Sequence, residues 1–320
     1  MTEKFKINFK YAFRIHKPLL VLRLIWTWIL VAVFGKRPLR YVDTAIGYKC
    51  NLSCEHCFAR DKKDPRRGRM PPHYFKGVVK QCMKLGVVNF SFQGGEPLLY
   101  EDLKLYIKAA QPAKNLISVT TNGTLLTPKK CKELRSWGVD ILTISADKYR
   151  DNSDLWLSIE RAKAAGMNVT IGTTVTHQDI KDWMIDGNDF LQALFLYARQ
   201  KKIILMLIYA VPMGALQGKD EIMLTPEDVD DIKEFCKKNP YLRTDFQANW
   251  VEEGCGAGKE ILFINPYGDV YPCPFIDISY GNVRSQSIKQ IMGRMSCNKK
   301  LKEYSRSCLA GEGKGLWGAF

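Results

Sequence analysis

At 320 residues, 46% of them hydrophobic, the chain carries enough apolar surface for one large domain with something smaller attached, which excludes a disordered or low-complexity protein. Its 48 Lys and Arg against 33 Asp and Glu leave a formal charge of +15, so an anionic partner is expected: a phospholipid surface, an acidic substrate or nucleic acid. Ten cysteines without a cleavable secretory signal argue against an oxidising compartment and place the catalytic part in the cytoplasm.

Residues 1–40 form the first unit. The apolar run from Leu19 to Phe34 has 16 residues. At about 1.5 Å each it reaches about 24 Å, short of a hydrocarbon core of about 30 Å, and Arg23 interrupts it. A full span is therefore not expected. Lys4, Lys6, Lys10, Arg14 and Lys17 precede the run, Lys36, Arg37 and Arg40 follow it, and Trp26 and Trp28 lie within it. The pattern predicts an amphipathic helix lying on an anionic membrane, peripheral at the inner face of the cell membrane. The alternative is a helix packed on the rest of the chain or on a second copy.

A short alternating segment, Tyr41–Ile46, leads into Cys50-Asn51-Leu52-Ser53-Cys54-Glu55-His56-Cys57. Three thiols that close cannot all pair as disulfides, but a compact loop can turn them towards one inorganic centre. A [4Fe–4S] cube has four iron corners, and the next cysteine, Cys82, falls inside a helical pattern. The fourth corner is left open for a small molecule, as in catalytic metal sites; a zinc loop is the plainer alternative. The C-x3-C-x2-C spacing resembles that of the radical S-adenosylmethionine (radical SAM) enzymes, in which an aromatic usually precedes the last cysteine; here His56 stands there. The resemblance implies a [4Fe–4S] cluster on Cys50, Cys54 and Cys57, S-adenosylmethionine as cofactor, and a reducing partner such as a flavodoxin or ferredoxin.

Beyond this loop, β-branched runs alternate with helical stretches, the mark of βα units around a parallel sheet. Strands are expected near Tyr41–Ile46, Val87–Phe92, Leu116–Thr121, Ile141–Ala146, Val169–Val175 and Ile203–Ala210. Helices are expected near Pro72–Leu85, Glu101–Ala110, Pro128–Trp137, Leu155–Ala165, Ile180–Gln200 and Pro226–Lys237. The predicted class is α/β: a partial (βα)6 TIM-like barrel over 41–240, with working residues at the C-terminal strand ends.

After the second strand comes Gln93-Gly94-Gly95-Glu96-Pro97, a second resemblance to radical SAM enzymes. In that family the Gly-Gly-Glu segment holds the amino group of S-adenosylmethionine, which gives Gly94 and Gly95 room-making roles and Glu96 the role of acceptor. Thr121 and Asn122, Ser145 and Asp147, and Thr174 are candidate contacts for ribose hydroxyls and the methionine carboxylate. Val211-Pro212-Met213-Gly214 resembles the segment that meets adenine, so Val211 joins the cofactor set with His56. His177 reads as a loop residue.

Residues 241–320 form the last unit. Between Cys255 and Cys273 lies a hairpin pattern turning at Pro266-Tyr267-Gly268-Asp269, followed by a helix over Ile288–Arg294. This resembles the SPASM/twitch auxiliary-cluster extension of many radical SAM enzymes. The dense cysteine series of a full SPASM region is missing, so a twitch-type unit with at most one auxiliary [4Fe–4S] cluster is expected, on Cys255, Cys273 and Cys308, with Cys297 as a further candidate. Cys82, Cys131 and Cys236 read as buried thiols. The glycine-rich tail over 311–318 is a candidate cover for the active site.

The resemblance implies an enzyme that cleaves S-adenosylmethionine reductively and turns the 5′-deoxyadenosyl radical on an unactivated carbon. The N-terminal helix points to a membrane-borne lipid or isoprenoid substrate; the auxiliary extension points instead to a ribosomally made peptide. A membrane-tethered iron–sulfur electron carrier is the reading from another class, and the missing fourth cysteine counts against it. Nucleic acid is not expected, because the basic residues are scattered.

Overall fold

The computed structural model describes residues 3–148, 154–185, 190–245, 254–302, 305 and 307–311, and every structural statement below refers to these. Residues 312–318 of the glycine-rich tail lie outside them.

Strands β1 (Tyr41–Ala45), β2 (Asn89–Gln93), β3 (Leu116–Thr121), β4 (Ile141–Ser145), β5 (Asn168–Val175) and β6 (Ile204–Tyr209) alternate with helices α3 (Pro72–Lys84), α4 (Leu103–Ala109), α5 (Pro128–Trp137), α6 (Leu155–Ala164), α7 (His177–Ile185) and α8 (Phe190–Lys201). All six strands pair in parallel in chain order. One parity of each strand is apolar and packs on the helices: Val42, Phe90, Phe92, Ile117, Val119, Leu142 and Ile144 are all fully buried. Phe92 meets Phe75 of α3 edge-on at 5.9 Å. The other parity faces the lumen and is polar, with Asp43, Ser91 and Ser118 in register across β1, β2 and β3. An apolar outside thus positions a polar inside.

Two features extend the six-strand expectation. After α9 (Pro226–Lys238), β7 (Leu242–Thr244) adds in parallel to β6; three residues, one of them Arg243, give too short a pattern to read. The hairpin β8 (Ile261–Ile264) and β9 (Val270–Tyr271) is not set apart, since β8 pairs in parallel with β1 from Tyr41↔Ile261 to Thr44↔Ile264. The sheet order is β7-β6-β5-β4-β3-β2-β1-β8-β9. The single helix expected over Ile180–Gln200 is two, α7 and α8, and the sequence between them at 186–189, Asp-Gly-Asn-Asp, is poor helix material. Helix α10 (Ile288–Cys297) begins with a Ser287/Gln290 capping box.

The N-terminal segment folds as α1 (Glu3–Ala12) and α2 (Pro18–Ala32), lying across the N-terminal ends of the strands. Tyr11 donates to the Val169 carbonyl and accepts from Ile204 N at 3.3 Å, at the starts of β5 and β6. Asp140, fully buried just before β4, draws in Arg14, Lys17 and Arg135. Arg23 donates to the carbonyls of Val87 at 2.6 Å and Lys114 at 2.9 Å, and to Asn115. The charge that interrupts the apolar run is therefore the pin that holds α2 to the barrel floor. No helix among the described residues is long and apolar enough to cross a membrane.

Candidate active site and auxiliary thiols

The loop after β1 carries Cys50, exposed, with Cys54 and Cys57 partly so, at the C-terminal end of the barrel. Its base is tied down by backbone. Gly95 N donates to the Gly47 carbonyl and Glu96 N to that of Lys49, both at 2.8 Å. A Cβ on Gly95 would stand 2.2 Å from the Lys49 oxygen, and one on Gly94, at φ +135°, 2.2 Å from the Gly47 oxygen. The space that the two glycines leave lets the cysteine loop pack directly on the end of β2.

Glu96 ties neighbouring strand ends together. Its side chain is completely buried and accepts from Leu98 N at 2.9 Å, Thr121 Oγ1 at 2.8 Å and Asn122 N at 2.8 Å. It joins the end of β2 to the end of β3 and so sets Asn122, whose amide reaches Asn51 Oδ1 at 2.9 Å and lies 3.9 Å from Cys50 Sγ. Thr121 is spent on the same tie, while Asn122 borders the thiols.

Two more expected residues meet across the mouth. His56 Nε2 lies 3.1 Å from Asp147 Oδ2, both side chains nearly buried, so the ring between Cys54 and Cys57 is clamped to the end of β4. Beyond β6, Gly214 at φ +56° sits under the carbonyls of Cys57 and Phe58, and Ala215 N donates to the Cys57 carbonyl at 3.0 Å. Val211 is buried and accepts from Met213 N at 2.8 Å. Ser145 and Thr174 stand half-buried at the ends of β4 and β5, and Thr174 shares a small cleft with Asp147 and Lys148. His177 is engaged with Asp228 of α9 at 2.7 Å, away from this group.

Sequence reading missed the residues that shape the loop from below. Tyr100 accepts from Lys49 N at 2.7 Å and fills the space above Gly47. Arg69 donates to the Ile46 carbonyl at 2.7 Å, pairs with Asp102 at 2.6 Å and lies over the Tyr100 ring at 4.6 Å. Nothing in their spacing marks them, because they act through backbone far away in sequence. The hairpin docks on the same loop through Arg67–Asp269 at 2.6 Å and Lys62–Asp277 at 2.5 Å. The cleft between them, about 500 Å³ of empty space partly open to solvent, is lined by Tyr48, Phe58, Phe263, Tyr267 and Tyr271 with Lys62 and Arg67.

The second thiol set is enclosed. Cys255 and Cys308 are buried and Cys273 partly so. Burial pushes all three thiols up, and charge on Cys255 opposes charge on both of the others, so the three lie together. Each sulfur is also met by backbone N–H groups: Leu309 and Ala257 at Cys255, Phe275 and Ile276 at Cys273, Ala310 and Gly311 at Cys308. Amide donors around grouped thiols suit sulfurs that will carry thiolate charge on a cluster. Cys297 is not among them; it is exposed at the end of α10 with its thiol on the Gly293 carbonyl at 3.4 Å. No described group of His, Cys, Asp or Glu is arranged for a single metal ion.

Comparison with known proteins gives the same two parts. The Radical SAM superfamily model matches residues 44–186, and the iron-sulfur cluster-binding domain model (SPASM) matches residues 255–310. An AdoMet-dependent heme synthase of Methanosarcina barkeri is 23% identical over 79% of this chain and 82% of its own. A GTP 3′,8-cyclase of Clostridium perfringens is 28% identical over 73% of this chain and 75% of its own. Among solved structures, anSMEcpe with bound AdoMet shares the fold with a TM-score of 0.62 at 19% identity, over 87% of this chain and 92% of that one. Streptococcus suis SuiB bound to precursor peptide SuiA has a TM-score of 0.61 at 16% identity, over 88% of this chain and 66% of that one. The chain therefore carries a radical SAM domain over residues 44–186 with an iron–sulfur SPASM region behind it over 255–310, and it is an enzyme.

Proposed function

We propose that the loop Cys50–Cys57 is the site of reductive S-adenosylmethionine cleavage and that the substrate is an anionic, water-borne molecule, with a ribosomally made peptide as the class best supported. One observation carries the first part: three thiols stand at the open C-terminal end of the barrel, braced by Gly95, Glu96 and Asn122 from the neighbouring strand ends. When bound, the cluster and S-adenosylmethionine supply a 5′-deoxyadenosyl radical for hydrogen abstraction or addition. The chain's own residues do the rest. Asn122 and Asn51 hold the loop edge, the His56–Asp147 pair fixes its far side, and Gly214 and Ala215 pack against the Cys57 carbonyl. Such bracing holds the three thiols in one fixed arrangement.

For the substrate, Lys49, Arg60 and Lys63 are exposed around the cysteine loop and outnumber the exposed Glu55 and Asp61 there. Positive charge there favours an acidic ligand. Two fold neighbours have been solved with peptides, SuiB with precursor peptide SuiA and anSMEcpe with the Cp18Cys peptide, which supports a peptide here. A lipid or isoprenoid loses its main argument, because α2 lies on the barrel floor and not beside the mouth.

The test is anaerobic reconstitution with iron and sulfide, reduction with dithionite, and assay for 5′-deoxyadenosine. Cleavage that disappears in Cys54→Ala supports the reading, and cleavage that survives it overturns it. Adding a peptide fraction or a lipid extract to the same assay separates the substrates. Stimulation by the lipid extract alone would return the substrate to the membrane.

A further inference from the structure

We infer that α2 docks this enzyme on an anionic lipid surface by its barrel floor, with the radical-generating mouth turned away from the membrane into water. The docking stands independently of the chemistry assigned to the mouth; only its consequence for the substrate rests on that reading.

The barrel leaves one side of α2 uncovered. Arg23 and the fully buried Leu20 face the protein, and Thr27 turns its hydroxyl back to the Arg23 carbonyl at 2.9 Å. The opposite side of the helix presents Leu19, Leu22, Ile25, Trp26, Trp28 and, just beyond, Phe34, with Leu22 62%, Trp26 58% and Trp28 65% exposed. Of the fifteen exposed large apolar side chains among the described residues, eight fall between positions 15 and 34. A patch this concentrated on an otherwise charged surface marks an interaction site and not scatter.

Charge selects the occupant. No Asp or Glu occurs between Glu3 and Asp43, whereas nine Lys and Arg do. Lys10, Lys36 and Arg37 are exposed at the ends of the two helices, and Lys84 and Lys114 are exposed on the elements beside α2. Two copies meeting through this face would bring two cationic rims together in a protein of formal charge +15, which opposes a dimer. An anionic bilayer surface accepts both features, taking the apolar side chains into its acyl boundary and the lysines among its headgroups. A helix of 15 residues, about 22 Å long, suits lying in that plane.

The orientation follows from the contacts. The hydrogen bonds that tie α1, α2 and their linker to the barrel go to the N-terminal ends of strands: Val87 and Asn115 before β2 and β3, Asp140 before β4, Val169 and Ile204 at β5 and β6. The cysteine loop leaves the other end of β1, five residues on. At about 3.3 Å per residue the strand alone separates the two by about 16 Å, before either loop is counted. A substrate therefore reaches Cys50–Cys57 from the aqueous side or on a segment that projects from the membrane.

Flotation of the purified full-length protein with phosphatidylcholine vesicles, with and without phosphatidylglycerol, tests the docking. The expected result is binding that requires phosphatidylglycerol, weakens as salt rises, and falls roughly tenfold or more in Leu22→Glu and Trp26→Glu. Because both side chains are exposed, the variants should keep their circular dichroism and their iron content. Equal binding by the variants, no binding to either vesicle, or a dimer through this face without vesicle binding would each overturn the proposal. Brominated acyl chains test the orientation: they should quench tryptophan emission in the native protein and not in the Trp26→Phe, Trp28→Phe double variant. Undiminished quenching in that variant would put another face on the lipid. S-adenosylmethionine cleavage should be unchanged in all these variants, so failure of docking and failure of the active-site reading are told apart.

Discussion

The two thiol triplets are built to opposite plans. Cys50, Cys54 and Cys57 stand on an exposed loop whose stiffness is borrowed from other strands through Gly95, Glu96, Asn122, Tyr100 and Arg69. Cys255 before the hairpin, Cys273 just after it and Cys308 beyond α10 are enclosed together, each sulfur faced by backbone amides. An open site is one that a ligand must enter; a closed one is suited to holding or passing charge. The difference supports the proposal that S-adenosylmethionine binds at the first set and that the second is auxiliary.

The sharpest way to break this assignment is to remove one thiol from each set. Cys54→Ala should abolish 5′-deoxyadenosine formation while leaving auxiliary iron in place. Cys273→Ala should lower iron content by about the share of one cluster and leave cleavage in the absence of substrate measurable. Cys297→Ser should change neither, since its thiol sits outside the buried set. Iron analysis beside chromatographic assay of 5′-deoxyadenosine checks all three.

Next in size is Gly95→Ala. The new Cβ meets the Lys49 carbonyl, which is backbone and cannot swing aside, so the cysteine loop must shift. Loss of most reconstituted iron from the first site, with the auxiliary iron retained, is the expected outcome by iron analysis and absorption. Asp147→Asn should act more mildly. It keeps a hydrogen-bonding side chain opposite His56 but removes the charge, so cleavage should fall severalfold with cluster content unchanged.

The smallest effect concerns the lumen. Burial raises the Asp43 carboxyl to about 6, against hydrogen bonds from Ser91 and Tyr41 that favour its charged form. A raised carboxyl pKa means that the folded state holds the proton longer than the unfolded chain does. Asp43 therefore favours the fold most below about pH 4 and loses that contribution as pH rises through about 6. Urea unfolding of the cluster-free protein between pH 4 and 7 should show that decline, flattened in Asp43→Asn.

How much of this could be read from the sequence depends on distance along the chain. The six βα units were legible because hydrophobic period and turn residues are local, and so was the C-x3-C-x2-C loop. The three-residue β7 carried too little pattern. The parallel pairing of β8 with β1 joins residues more than two hundred positions apart, which periodicity cannot report. Gly94, Gly95 and Glu96 were visible as a motif, but their present partners, Gly47, Lys49 and Asn122, were not. Arg23 misled in an instructive way: in the sequence it interrupts a membrane-seeking run, and in the fold it fixes which face of that run is left outside.

Electron paramagnetic resonance of the reduced, reconstituted protein, recorded with and without S-adenosylmethionine, tests the central claim most directly. The account predicts that S-adenosylmethionine changes a [4Fe–4S] signal that is absent from Cys54→Ala and present in Cys273→Ala. A change instead in the signal lost with Cys273, or no response to S-adenosylmethionine in the native protein, would contradict it.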